Sequence, residues 1–172
     1  TGLSRAGAVL LTRCDLVDES SLRKIEQTIS QHVSPGTVVL RTHHAAKQLV
    51  DYPSKSSNIS TLANKRVVTV CAIGNPAAFE QTVQHCGGQI IDRIRLPDHD
   101  AFGPDSMRRL QEMAHQNSND FDLFVCTHKD LVKIRSDRIA GKEICALEIE
   151  LTFDSDPAPL YELLAKCFGT DS

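Results

Sequence analysis

Short apolar runs take turns with amphipathic stretches along this chain, and that alternation leaves few architectures open. "AVLLT" (8–12), "TVVLRT" (37–42), "RVVTVCAI" (66–73), "QIIDRIRL" (89–96) and "FDLFVCT" (121–127) have the length and composition of strands. Between them, "SLRKIEQTISQHV" (21–33) repeats Leu22, Ile25, Ile29 and Val33 at helical spacing. "GNPAAFEQTVQHCGG" carries its own start and stop: Asn75 as N-cap, Pro76 at the first helical position, Gly87-Gly88 past the end. Met107, Leu110 and Met113 place a helix over 104–115, and Leu160, Leu163, Leu164, Cys167 and Phe168 make a closing helix. "ICALEIELTF" (144–153) alternates from Leu147 to Phe153, which suits a strand with one solvated face. Residues 43–64 are polar, carry Pro53 and four serines, and read as a loop insertion. The pattern predicts a single α/β domain over 1–172, a mainly parallel sheet flanked by helices.

A chain of 172 residues has room for one proper core. Its net charge of −3 gives no reason to expect a nucleic-acid partner. No apolar run approaches the ~20 residues that span a bilayer, so a soluble protein is expected. Thr1 leads almost directly into a strand-like run, which suggests a fragment or a processed chain. The six cysteines, at 14, 71, 86, 126, 145 and 167, contain no C-x-x-C pair, which argues against a zinc ribbon or a thioredoxin-like motif. Cys71 and Cys126 fall inside apolar runs, as buried free thiols do, and point to a reducing compartment.

In parallel α/β sheets, ligands sit beyond the carboxyl ends of the strands. Four polar stretches occupy such positions here: "TRCD" (12–15), "GNP" (74–76), "PDHD" (97–100) and "THKD" (127–130). Thr12, Arg13 and Asp15 can read a nucleotide base, the arginine stem covering the ring and the carboxylate accepting its hydrogen bonds. The same residues can also form a solvated strand end with Asp15 or Asp18 capping the next helix. The backbone N–H groups of "GNP" can hold an anion or simply open a helix. Lys129 and Lys133 can meet phosphate, while Thr127 and Asp130 have the spacing of a capping box. Asp98, His99 and Asp100 can be a metal site, a proton relay or a polar turn. A metal would need His43, His44 or His128 as further ligands, and none is expected. A histidine oriented by a carboxylate is the better chemical unit. No G-x-x-x-x-G-K-[ST] phosphate loop is present; Gly141-Lys142 is followed by Glu143.

Taken in order, "AGAVLLTRCD", "CAIGNPAAFEQTVQHCGGQI", "LPDHDAF" and "DLFVCTHKDLVKI" resemble the C-terminal half of the tetraacyldisaccharide 4′-kinases, the lipid A 4′-kinases of Gram-negative bacteria. The resemblance covers residues 6–153. It implies a Rossmann-like P-loop kinase that uses ATP and Mg²⁺ to phosphorylate tetraacyldisaccharide 1-phosphate at the cytoplasmic face of the inner membrane. The phosphate loop, the catalytic aspartate, the Mg²⁺ ligands and the membrane-contacting helices belong to the family's N-terminal half. This chain is therefore expected to be a C-terminal domain, soluble and inactive alone. By the same resemblance His99 is the relay partner of an aspartate absent from this chain, and Asp98 orients it. Thr12, Arg13, Asp15 and Lys129 are implied nucleotide contacts. Two departures stand out: the family's T-E-K-D is Thr127-His128-Lys129-Asp130, and its A-G-I-G is Cys71-Ala72-Ile73-Gly74. The alternatives are a noncatalytic flavodoxin-like binding or interaction module that uses the same loops, and a metal-dependent hydrolase built on His43, His44, His99 and His128.

Overall fold

The structure, a computed structural model, describes residues 2–117 and 119–169. Strand and helix alternate as the hydrophobic pattern requires. The elements are β1 (Ala8–Leu11), α1 (Glu19–Ser30), β2 (Val38–Asp51), β3 (Lys55–Ser57), β4 (Arg66–Cys71), α2 (Pro76–His85), β5 (Gln89–Arg95), α3 (Pro104–Gln116), β6 (Leu123–Thr127), α4 (His128–Ile134), β7 (Arg138–Ile139), β8 (Lys142–Phe153) and α5 (Ala158–Phe168).

Residues 43–64, expected as loop, differ from that expectation. β2 continues to Asp51, β3 pairs back antiparallel, and a 3-10 turn over Ile59–Leu62 follows. The strand was hidden because polar side chains on it find partners. His43 Nδ1 lies 2.7 Å from Asp154 Oδ1, and Gln48 donates to Glu148 Oε2 at 2.6 Å. Paired polar groups are tolerated on a half-buried strand, so its period-2 apolar signal fades. Asn58, whose side chain accepts from Ser60 N at 2.8 Å, starts the 3-10 turn.

The chain clusters into two compact units. One holds the residues up to Ala45 and those from Glu150 onward; the other holds Ala46–Ile149. In the first, β1 pairs in parallel with the start of β2, Ala8 opposite Val38 through Leu11 opposite Arg41. Asp18 caps α1, accepting from Ser21 N at 3.0 Å and Ser21 Oγ at 2.7 Å. Serine hydroxyls hold its carboxyl below the usual range. Leu22 and Ile29 turn inward, whereas Ile25 of the same stripe stays 40% exposed. Arg41 of β2 ties down α1, reaching Glu26 at 2.6 Å and Glu19 at 2.7 Å.

In the second unit, β4 pairs in parallel with β5 on one side and β6 on the other, and β6 pairs in parallel with β8. A strand with neighbours on both edges and helices on both faces has no solvated side, so it is apolar throughout. β4 shows this, since Val67, Val68 and Val70 have no exposed surface. Successive side chains alternate between two cores. Val68, Val70 and Ala72 pack with Leu110 and Ala114 of α3 and Leu131 and Ile134 of α4. Val67 and Cys71 pack with Phe79 and Val83 of α2. The unit is a mainly parallel α/β sheet flanked by helices, as predicted.

Candidate functional site

Because β4, β5 and β6 run parallel, their carboxyl ends open on one edge of the second unit. Three stretches meet there: Ala72–Asn75 after β4, Pro97–Gly103 after β5, and the start of α4 after β6. Leu96 N–H donates to Cys71 O at 2.9 Å, which keeps the chain beside β4 one residue past the strand. The turn that follows is Asp98-His99, with Asp100 N–H donating to Pro97 O at 3.0 Å. His99 N–H donates to Ala72 O at 3.3 Å and to Asp98 Oδ1 at 3.0 Å.

This loop stores strain. His99 has φ 64° and Phe102 φ 55°, both left-handed and neither a glycine. Each such residue costs on the order of 1–2 kcal/mol and persists only where its surroundings over-determine it. Asp100 provides much of that determination. Its Oδ1 accepts from Phe102 N at 2.6 Å, and both its oxygens lie 3.1 Å from Ser106 Oγ on α3. Its carbonyl accepts from the Lys133 ammonium. Phe102 is itself buried, and Lys133 Nζ stands 5.9 Å from its ring centroid.

The fixed loop presents His99 outward, its side chain 80% exposed. Nδ1 is 3.5 Å from Lys129 Nζ on α4, Nε2 is 3.8 Å from Asp98 Oδ2, and Lys129 Nζ is 3.8 Å from Asp98 Oδ1. Asp98, His99 and Lys129, all named from the sequence, thus come together. Behind them lies Asp130, fully buried. Its Oδ2 accepts from Ala72 N at 3.1 Å and from Thr127 Oγ1 at 2.7 Å, and its own N–H donates to Thr127 Oγ1 at 3.2 Å. Asp130 Oδ1 is buried without a partner among the described residues.

Several of the structural readings hold. Asn75 caps α2, accepting from Ala78 N at 3.2 Å with Pro76 in the first turn, and Thr127 caps α4. Asp18, not Asp15, caps α1. The remaining sequence candidates lie in the first unit, at the end of β1. Thr12 and Asp15 are exposed, and Arg13, at φ 61°, is partly buried with no side-chain partner for its guanidinium among the described residues. Among the described residues no group of three or more His, Cys, Asp or Glu side chains could hold a metal ion. That removes the support for a hydrolase centre on His43, His44, His99 and His128. Cysteine chemistry at the strand ends is disfavoured as well. Burial pushes the Cys71 thiol up to about 11 and the Cys126 thiol well above its ordinary value, far from a reactive thiolate.

Ser106 escaped the sequence reading, Asp100 was named there only within the "PDHD" stretch and Asp130 only for its capping-box spacing, and Lys133 was read only as a phosphate ligand. One signal was available: Lys129 and Lys133 are four apart and share a face of any helix that Thr127 caps.

The family described as Tetraacyldisaccharide-1-P 4′-kinase matches residues 1–168. A tetraacyldisaccharide 4′-kinase of Halothermothrix orenii is 25% identical over 148 residues, covering 81% of this chain and 38% of that protein. One from Anaeromyxobacter is 28% identical over 149 residues, covering 86% of this chain and 39% of the relative. The chain therefore spans about two fifths of the length of these relatives. Among solved structures, LpxK from Aquifex aeolicus, crystallised in complex with ATP, aligns with a TM-score of 0.55 and 14% identity over 92% of this chain and 51% of that one. At that identity the alignment supports the fold.

Proposed function

This chain belongs to the tetraacyldisaccharide-1-P 4′-kinase family, and from that premise we propose that it forms the C-terminal part of a kinase that transfers phosphate from ATP to the 4′-hydroxyl of tetraacyldisaccharide 1-phosphate. The observation that carries the reading is His99. An exposed imidazole sits in a strained, over-determined turn at the carboxyl edge of a parallel sheet, where such folds bind ligands.

Phosphoryl transfer asks the protein mainly for positioning, charge stabilisation and a base to orient the nucleophile. In this reading the base is an aspartate from the rest of the kinase. His99 holds it by a hydrogen bond while it takes the proton of the 4′-hydroxyl, and Asp98 fixes the His99 turn through the backbone N–H. Arg13, with Thr12 and Asp15, contacts the nucleotide base. The guanidinium of Arg13, without a side-chain partner among the described residues, suits that task. Lys129, expected at the nucleotide, already has His99 and Asp98 as neighbours. ATP is carried over from the Aquifex aeolicus complex. Mg²⁺ would neutralise the charge on the phosphates. Among the described residues no group of three or more His, Cys, Asp or Glu could hold a metal ion, and no step on this chain is assigned to the metal. The lipid acceptor puts the kinase at the cytoplasmic face of the inner membrane. No described helix is long and apolar enough to cross a membrane, and bilayer contact is assigned to the half of the kinase that has no counterpart in these 172 residues.

The test is to incubate the complete kinase carrying this chain with Mg-ATP and tetraacyldisaccharide 1-phosphate and to locate the new phosphate by ³¹P NMR. A monoester at the 4′ oxygen is expected. ATP hydrolysis without transfer, or phosphate at another position, contradicts the assignment.

A further inference from the structure

We propose that Lys129 is a positioning residue for His99: its ammonium occupies Nδ1, so the ring carries its single proton on Nε2 and acts there as a hydrogen-bond donor. The proposal rests on the role given to His99 above and deepens it.

The argument starts from donor inventory. A lysine ammonium has three donors and no acceptor, and a neutral imidazole has one of each. Lys129 Nζ stands 3.5 Å from Nδ1, so that nitrogen bears the lone pair and Nε2 bears the proton. Nε2 faces the Asp98 carboxylate at 3.8 Å, which favours an N–H on that side too. Adding a proton at Nδ1 would set two donors face to face. With Nδ1 turned to the Lys129 donor, Nε2 is the ring nitrogen placed to give a hydrogen bond. The relay expected from the sequence becomes an orienting bond: the aspartate takes the hydroxyl proton and His99 holds the aspartate still.

The contact is built in rather than a chance meeting of surface chains. Asp130, next to Lys129, fixes the first turn of α4 by accepting from Ala72 N. The carbonyl of that same Ala72 accepts from His99 N–H. One residue of the β4 end thus registers both partners. One turn further along α4, Lys133 holds the carbonyl of Asp100, so the helix grips the loop on either side of the imidazole.

The test is a double-mutant cycle in the complete kinase. Lys129→Met is expected to lower kcat about 3- to 5-fold, the size of a half-exposed charged contact, with the ATP KM unchanged. Lys129→Arg, which keeps a donor, should restore most of the loss. In a His99→Ala background, Lys129→Met should have almost no further effect, because a residue that acts through another is silent once that other is gone. A rise in ATP KM at constant kcat, or a full additional loss in the His99→Ala background, overturns the proposal. If His99→Ala alone leaves kcat intact, the functional reading fails instead. The tautomer then decides the proposal by itself. In long-range ¹H–¹⁵N spectra of histidine-labelled kinase, with His99 identified by its loss in His99→Ala, a lone-pair Nδ1 supports Lys129 and a protonated Nδ1 rejects it.

Discussion

At φ 64°, His99 has the backbone of a residue chosen for where its side chain points and not for stability. At an ordinary position alanine is more stable than glycine by roughly 0.5–1 kcal/mol, because glycine loses more freedom on folding. In the left-handed region the order reverses, since a Cβ there costs about 1–2 kcal/mol. His99→Gly should therefore be the more stable variant, by about 1 kcal/mol over His99→Ala, or roughly 2–4 °C in Tm for a chain of this size. Thermal unfolding of the pair checks this, and an alanine variant that melts higher would show that the turn is unstrained. Arg13 gives a second prediction at this scale. Its guanidinium at the end of β1 has no side-chain partner among the described residues and is proposed to contact the nucleotide. In the complete kinase Arg13→Ala should raise the ATP KM more than the lipid KM, as steady-state kinetics would read; equal effects on both would count against base recognition. Asp98 and His99 were legible in the sequence because acid-imidazole neighbours after a strand carry chemistry. Asp100 was named with them but its role was not legible, because its work is local: it accepts from Phe102 N two residues on and reaches Ser106, and neither contact exists until the loop has folded.

Helix α2 is held to strand β5 by a charge cluster that makes acid sensitivity a property of this pair of elements. Glu80 is buried, and Arg93 and Arg95 of β5 reach it at 3.1 and 2.7 Å. The Arg95 hydrogen bond, ahead of an opposing desolvation, holds the Glu80 carboxyl below its ordinary 4.5. A carboxyl depressed in the folded state adds stability above the unfolded pKa and loses it as pH falls through the folded value. Melting temperature should thus drop on acidification below about pH 4.5. Glu80→Gln should blunt that drop while costing about 1 kcal/mol at neutral pH, a figure kept small because both guanidinium groups are half in water. An unchanged acid limb in Glu80→Gln would place the sensitivity elsewhere. Most elements were legible from periodicity because they bury one apolar face: Val68, Val70 and Ala72 alternate with Val67 and Cys71 in β4, as a strand packed on both sides requires. The far half of β2 was not, because His43 and Gln48 satisfy their polarity through side-chain partners distant in sequence. α4 was visible only through its Thr127–Asp130 cap, being seven residues long.

The chain lacks a G-x-x-x-x-G-K-[ST] loop, and its described residues hold no metal-ligand cluster. A phosphoryl-transfer centre needs a phosphate cradle and Mg²⁺ ligands. The 172-residue chain alone should therefore give no phosphorylated lipid with Mg-ATP, and turnover that survives further purification would overturn its assignment as one part of a kinase. The account's central claim is that this part supplies His99 to the chemical step. The direct measurement is kcat of the complete kinase with His99→Ala, alongside both KM values and the Tm. A base that takes the proton contributes about 10²–10⁴-fold and acts here only while His99 holds it, so kcat should fall within that range while both KM values stay within about threefold and the Tm moves little, as for an exposed side chain. A variant that keeps near-native kcat would reduce "PDHD" to a polar turn and contradict the account.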